Sequence, residues 1–324
     1  MLSLNPGMRC LQEVIQVIWK ANRASAPRGI WAVAIVILLS ASGVEAQAVS
    51  ETAQRPPGMR GSTNVHVLSH IPLGAYLTVS DIEMEQELSR PYVYVSRRTG
   101  EKGFDVINIE DPENAEIIHR WRVENQELHQ GGAMDSKQFK IGDRYYFIQS
   151  VSFRQGGPNS DVGGIVVDVT DLPERITEVG RVRPEGGGGF HNIFVYKHSN
   201  GRPLLFTTIG GPFANVYDLG YVVDGRIDEA LVARVPVPEG QTPGRVGASG
   251  YHDFYTGYDA DSEQDRFYGG GTGGYYVYNV TDLENPELLV SLTGINGVRR
   301  GHTFTPSPDG RYVIAETEYQ YAPL

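Results

Sequence analysis

Beyond residue 65 the chain is written in short runs of alternating apolar and polar residues, each closed by Gly, Asp, Asn or Pro. Residues 251–255, 266–269, 275–280 and 288–292 form the clearest group, rich in aromatic and β-branched side chains, and predict four short antiparallel strands. Similar groups are predicted at 76–82, 92–96, 104–109 and 116–122, and at 190–196, 204–208, 214–219 and 230–235. Between them, 144–151, 164–169 and 176–182 read as further strands. No long stretch after the first 46 residues carries a helical period. A four-strand unit repeated along a chain is the sequence form of a propeller blade, so the expected fold is an all-β, β-propeller of four-stranded blades. About four and a half blades are expected: 301–305 and 311–317 supply half of a fifth, which suggests truncation at the C-terminus. Residues 65–71 read as an orphan outer strand, of the kind that closes a ring by completing the last blade.

The first residues break this pattern. Arg23 and Arg28 precede an apolar run at 29–39, then small residues ending at Ala46. A basic flank, a short apolar run and a small-x-small site predict a signal peptide over 1–46. The run is short for a membrane span, so membrane attachment is expected only if the leader stays uncleaved. Residues 47–64, with Pro56-Pro57-Gly58, read as a flexible linker, leaving 65–324 as the propeller domain. The expected location is therefore exported: periplasmic, extracellular or cell-surface. The formal net charge of −11 argues against nucleic acid as a partner. Cys10 is the single cysteine and lies in the leader, which excludes disulfides, thiolate metal sites and a thiol nucleophile from the exported part.

Three phrases recur in step with the strands: Asn108-Ile109-Glu110-Asp111, Asp168-Val169-Thr170-Asp171 and Asn279-Val280-Thr281-Asp282. Each follows an apolar strand and precedes a Pro-containing turn. An Asp leaving a strand accepts backbone N–H groups of the next turn, so Asp111, Asp171 and Asp282 are read as turn residues rather than catalytic acids. The phrase resembles that of the LVIVD-repeat proteins, exported β-propellers, over roughly residues 65–318. The resemblance implies a propeller and assigns no activity. The third unit departs from it, since Val216-Tyr217-Asp218-Leu219-Gly220 lacks the second acid. Two other matches are set aside. The glycine-rich 269–274 fits G-x-G-x-x-G but is followed by a strand, so no helix N-terminus meets a dinucleotide. Asn279-Val280-Thr281 fits a glycosylation sequon, but the repeat already explains it.

The candidate chemistry is a histidine that keeps step with the units. His191, His252 and His302 each open a first strand, in the phrases His191-Asn192-Ile193, His252-Asp253-Phe254 and His302-Thr303-Phe304. His129 precedes the second unit at similar spacing. First strands line a propeller's channel, so these four imidazoles are the candidate ligands of a transition metal, Fe, Cu or Zn. Carotenoid-cleaving oxygenases and selenium-binding proteins have a similar clustering of channel histidines, although no segment here matches their sequences. Glu316 and Glu318 are the nearest carboxylate candidates, and strand alternation predicts that Asn192 and Asp253 face away unless the strand bulges. His66, His70, His119 and His198 read as surface residues. Two functions follow. The first is an exported propeller acting as a binding or scaffold module for a small molecule or protein at its top face. The second is a metal-dependent oxidoreductase with the ion held by the channel histidines.

Overall fold

The computed structural model describes residues 66–317 apart from 76, 130, 153–162, 185–187 and 239–249. The predicted leader and linker lie outside the described residues. Every described strand belongs to the compact unit Ile71–Leu324. Four sheets of four antiparallel strands succeed one another, each a meander paired in chain order. The first is β1 (Val79–Met84), β2 (Tyr92–Arg97), β3 (Gly103–Asn108) and β4 (Glu116–Arg122). The second is β5 (Gly132–Ile141), β6 (Arg144–Ser152), β7 (Gly163–Asp168) and β8 (Thr177–Val182). The third is β9 (Ile193–Lys197), β10 (Pro203–Thr208), β11 (Phe213–Asp218) and β12 (Leu231–Pro236). The fourth is β13 (Tyr251–Asp259), β14 (Gln264–Gly271), β15 (Gly274–Asn279) and β16 (Glu287–Thr293). Strands β17 (Phe304–Pro306) and β18 (Val313–Ala315) make a two-stranded fifth sheet. The first strands β1, β5, β9, β13 and β17 neighbour one another in that order. This is the β-propeller expected from the repeat.

Three local expectations change. Residues 66–71 form no strand, so the orphan outer strand is absent from the described residues. The second sheet has a first strand, β5, that the hydrophobic pattern missed, because Asp135, Ser136, Lys137 and Gln138 make it polar. A single helical turn, α1 (Leu219–Val223), follows β11 where the repeat lacks its second acid. Asp218 starts it by accepting the N–H of Gly220 at 2.7 Å.

The two middle strands of each sheet bury both faces, which is why they read as continuous apolar runs. Ile165 and Val167 of β7 pack with Tyr92, Tyr94 and Phe104 of the first sheet, while Val166 between them packs with Leu205 and Tyr217 of the third. In β15, Tyr276 and Tyr278 turn toward Leu204 and Phe206, and Tyr275 and Val277 turn toward Phe304. The core is therefore a series of slabs between neighbouring sheets, filled largely by aromatic rings.

The repeat phrase is turn chemistry, as expected. Asp168 accepts the N–H of Thr170 at 3.0 Å, and the Thr170 hydroxyl accepts the N–H of Tyr145 at 2.9 Å. Asn279, Thr281 and Asp265 repeat both bonds one unit pair later. Asp111 and Asp282 accept the N–H groups of Glu113 and Glu284. The same turns also join sheets. Arg90 of the first sheet donates to the Val169 carbonyl at 2.8 Å, and His198 of the third bonds the equivalent Val280 carbonyl at 3.1 Å. His198 is thus buried rather than on the surface, with Asp265 3.2 Å away. Its hairpin reaches across to the next sheet, a contact that local sequence does not encode.

On the flank beyond the fourth sheet the core thins. Val290 and Leu292 lie on the same face as Val277 and Tyr275, yet each is 40 % exposed, and Ile314 of β18 is 73 % exposed.

Phe206 is fully buried with its ring 5.7 Å from that of Phe267. Phe206→Ala should lower the unfolding free energy by about 3–5 kcal/mol, read from urea denaturation.

Candidate functional site

The first strand of each sheet is an edge strand, paired on one side only, and in β1, β5 and β13 it bulges near its start. In β5, Ala133 and Ser136 pair with Val151 and Gln149, so Met134 and Asp135 together oppose Ser150. In β1, the register slips between Val79 and Ile82, and in β13 between Tyr251 and Asp253. Counting from the repeat phrase, Ile82, Ser136, Ile193 and Phe254 pair with equivalent residues: Val95, Gln149, Thr207 and Gly269. The two residues before each are therefore equivalent: Ser80-Asp81, Met134-Asp135, His191-Asn192 and His252-Asp253, with His302-Thr303 before Phe304. A bulge re-aims side chains that strict alternation would send to opposite faces. Both residues of the first four pairs, together with His302, line one cavity of about 480 Å³.

His191, His252 and His302 come together as the spacing predicts. The His191 and His252 rings lie 4.9 Å apart, edge to face, and His252 and His302 lie 4.0 Å apart at 32°. Met134, not His129, holds the equivalent position in the second sheet. His129 is fully buried at the turn before β5 and does not line the cavity. Among the described residues, no group of three or more His, Cys, Asp or Glu side chains is arranged so as to hold a metal ion. Glu316 uses its backbone, whose carbonyl accepts from the His302 N–H and the Tyr275 hydroxyl, and its side chain does not line the cavity. Glu318 lies outside the described residues.

The carboxylates were not expected here, and two of them have a structural task. Asp81 accepts the N–H and hydroxyl of Ser136 on the next sheet, at 2.9 and 2.8 Å. Asp135 does the same one sheet on, accepting the N–H of Ile193 at 2.8 Å. Asn192 continues the series by donating to the His252 carbonyl at 2.9 Å. Asp253 breaks it: among the described residues it accepts only the N–H of its own neighbour Phe254, at 2.8 Å. The expectation that Asp253 faces away fails because β13 bulges. The signal available in sequence was the acid or amide in second place of four of the five pairs.

Burial dominates the electrostatics. It pushes the Asp135 carboxyl up to about 7 even though Lys137 is ion-paired to it. Burial pulls Lys137 down, but Asp135, with Asp81 and Glu83, outweighs it and holds the ammonium above its usual range. Burial also raises Asp253. It lowers His252 to about 3, helped by His302, His191 and Arg300. The cavity thus joins neutral imidazole, carboxyl groups of raised proton affinity and one firmly charged lysine.

No family model matches the chain, and no curated protein matches it. Among solved structures it is similar to a thermostable family-43 glycoside hydrolase, at 12 % identity and a TM-score of 0.43, covering 75 % of this chain and 84 % of that one. It is also similar to an endo-arabinase from Bacteroides thetaiotaomicron, at 13 % identity and a TM-score of 0.45, covering 74 % and 89 %. The likeness is one of fold.

Asp81→Ala should cost about 1–3 kcal/mol in urea denaturation, because it removes the acceptor of the buried Ser136 hydroxyl. The neutral His252 contributes fully above its ordinary 6.5, and that contribution is lost as pH falls toward 3. Asp135 and Asp253 act in the opposite sense, so the comparison with His252→Asn isolates the imidazole. In melts of chelator-treated protein between pH 7 and 4, wild type should lose more stability than the variant.

Proposed function

We propose that the chain is an exported LVIVD-repeat propeller that binds a small hydroxylated molecule, a mono- or disaccharide, in its central cavity. The observation that carries this reading is the convergence into one space of side-chain pairs at equivalent positions of successive first strands, aided by bulges in β1, β5 and β13. About 480 Å³ lies within the range of small-molecule sites. Vicinal hydroxyls both donate and accept. Asp253 accepts, Lys137 donates and the imidazoles do either, while the rings of Phe194 and Tyr255, 5.0 Å apart on the cavity wall, offer an apolar face. The repeat phrases support the family, since those of the second and fourth sheets make equivalent bonds in equivalent turns.

Calorimetric titration with a panel of pentoses, hexoses and their disaccharides tests the reading. At least one should bind, and Asp253→Asn and Tyr255→Ala should each weaken it about tenfold or more, the worth of one lost directional contact. Absence of binding at millimolar sugar, or binding indifferent to both substitutions, would remove the cavity as a sugar site.

A further inference from the structure

We propose that His191, His252 and His302 form a transition-metal site on the cavity wall, with Asp253 as its carboxylate ligand. This goes beyond the binding of an organic molecule, although it draws on Asp253 and the imidazoles of the same cavity.

Three consecutive sheets each deliver one imidazole at the same register position, and the rings are in contact range, at 4.9 and 4.0 Å. His252 sits in β13, while His191 and His302 sit just before β9 and β17 with their N–H groups bonded to the Thr208 hydroxyl and the Glu316 carbonyl, so the three backbones stay together whatever their side-chain rotamers. Asp253 follows His252 on the same bulge and lines the same cavity. Asp81 and Asp135 are committed to holding the next sheet, and Asp253 is not. Nδ1 of His302 lies 2.9 Å from the Thr303 hydroxyl, the kind of contact that orients a ligating ring.

The side chains are not preset for the ion. His252 and His302 overlap at 32°, which sets their nitrogens side by side. Closing the set takes a swing of one ring about its side-chain bonds. Imidazole nitrogens with a single carboxylate suit Zn, Fe or Cu, whereas Ca and Mg take oxygen donors. His129, outside the cavity lining, is not a member.

The test is direct titration of the purified, chelator-stripped protein with Zn²⁺ by calorimetry, and with Co²⁺ by its visible absorption. One equivalent should bind. His252→Ala and His302→Gln should each weaken binding by about 100-fold or more, and Asp253→Asn by about tenfold, the range seen when groups around a bound metal are removed. His119→Ala, on β4, should change nothing. Thermal melts report whether each variant folds; should His252→Ala fail to, His302→Gln decides. Less than one equivalent bound, or affinity that His302→Gln leaves intact, overturns the site. Sugar titration of the stripped protein, run in parallel, tells loss of the metal from loss of the cavity.

Discussion

An edge strand leaves a row of N–H groups with no ladder partner, and this fold has to answer that row where its first strands adjoin. The answer is a side chain from the sheet before. The carboxylates of Asp81 and Asp135 accept the exposed N–H groups of Ser136 and Ile193. For those side chains to reach sideways, the strand that carries them has to bulge. The bulge therefore satisfies the edge, ties sheet to sheet, and turns a second side chain from each pair inward. The polar lining of the cavity is a by-product of how the sheets are joined.

The outer joints obey the same logic with different residues. Arg90 and His198, from hairpins of the first and third sheets, both bond the carbonyl that follows the opening residue of the repeat phrase in the next sheet. Between inner and outer joints lie slabs of aromatic rings, which supply the bulk of the apolar burial. The polar joints hold neighbouring sheets in register, so that apolar slabs of similar composition do not slide. Among the described residues Lys137 is the single Lys or Arg on the cavity wall, and Asp135 and its neighbours already engage it.

Much of this was legible in the chain. The four-strand period, the turn role of Asp111 and Asp282, and the meeting of His191, His252 and His302 all follow from local alternation and spacing. The failures share a cause. Strand β5 was overlooked because its polar residues face a cavity, which a hydrophobic pattern does not distinguish from a loop. His129 was assigned by spacing, but it ends the turn before β5, and Met134 holds the equivalent place on the strand. Asp253 was sent to the wrong face by strict alternation, and His198 was read as exposed because its partners lie some eighty residues away. In each case the missing information was a register or a long-range contact, and neither leaves a trace in a short window of sequence.

The exposed side chains of Val290, Leu292 and Ile314 have a practical consequence. In this acidic chain, like-charge repulsion competes with such uncovered apolar groups in setting colloidal behaviour. Anyone preparing concentrated samples would gain most by recharging those three positions, and would leave the cavity and the joints between sheets untouched.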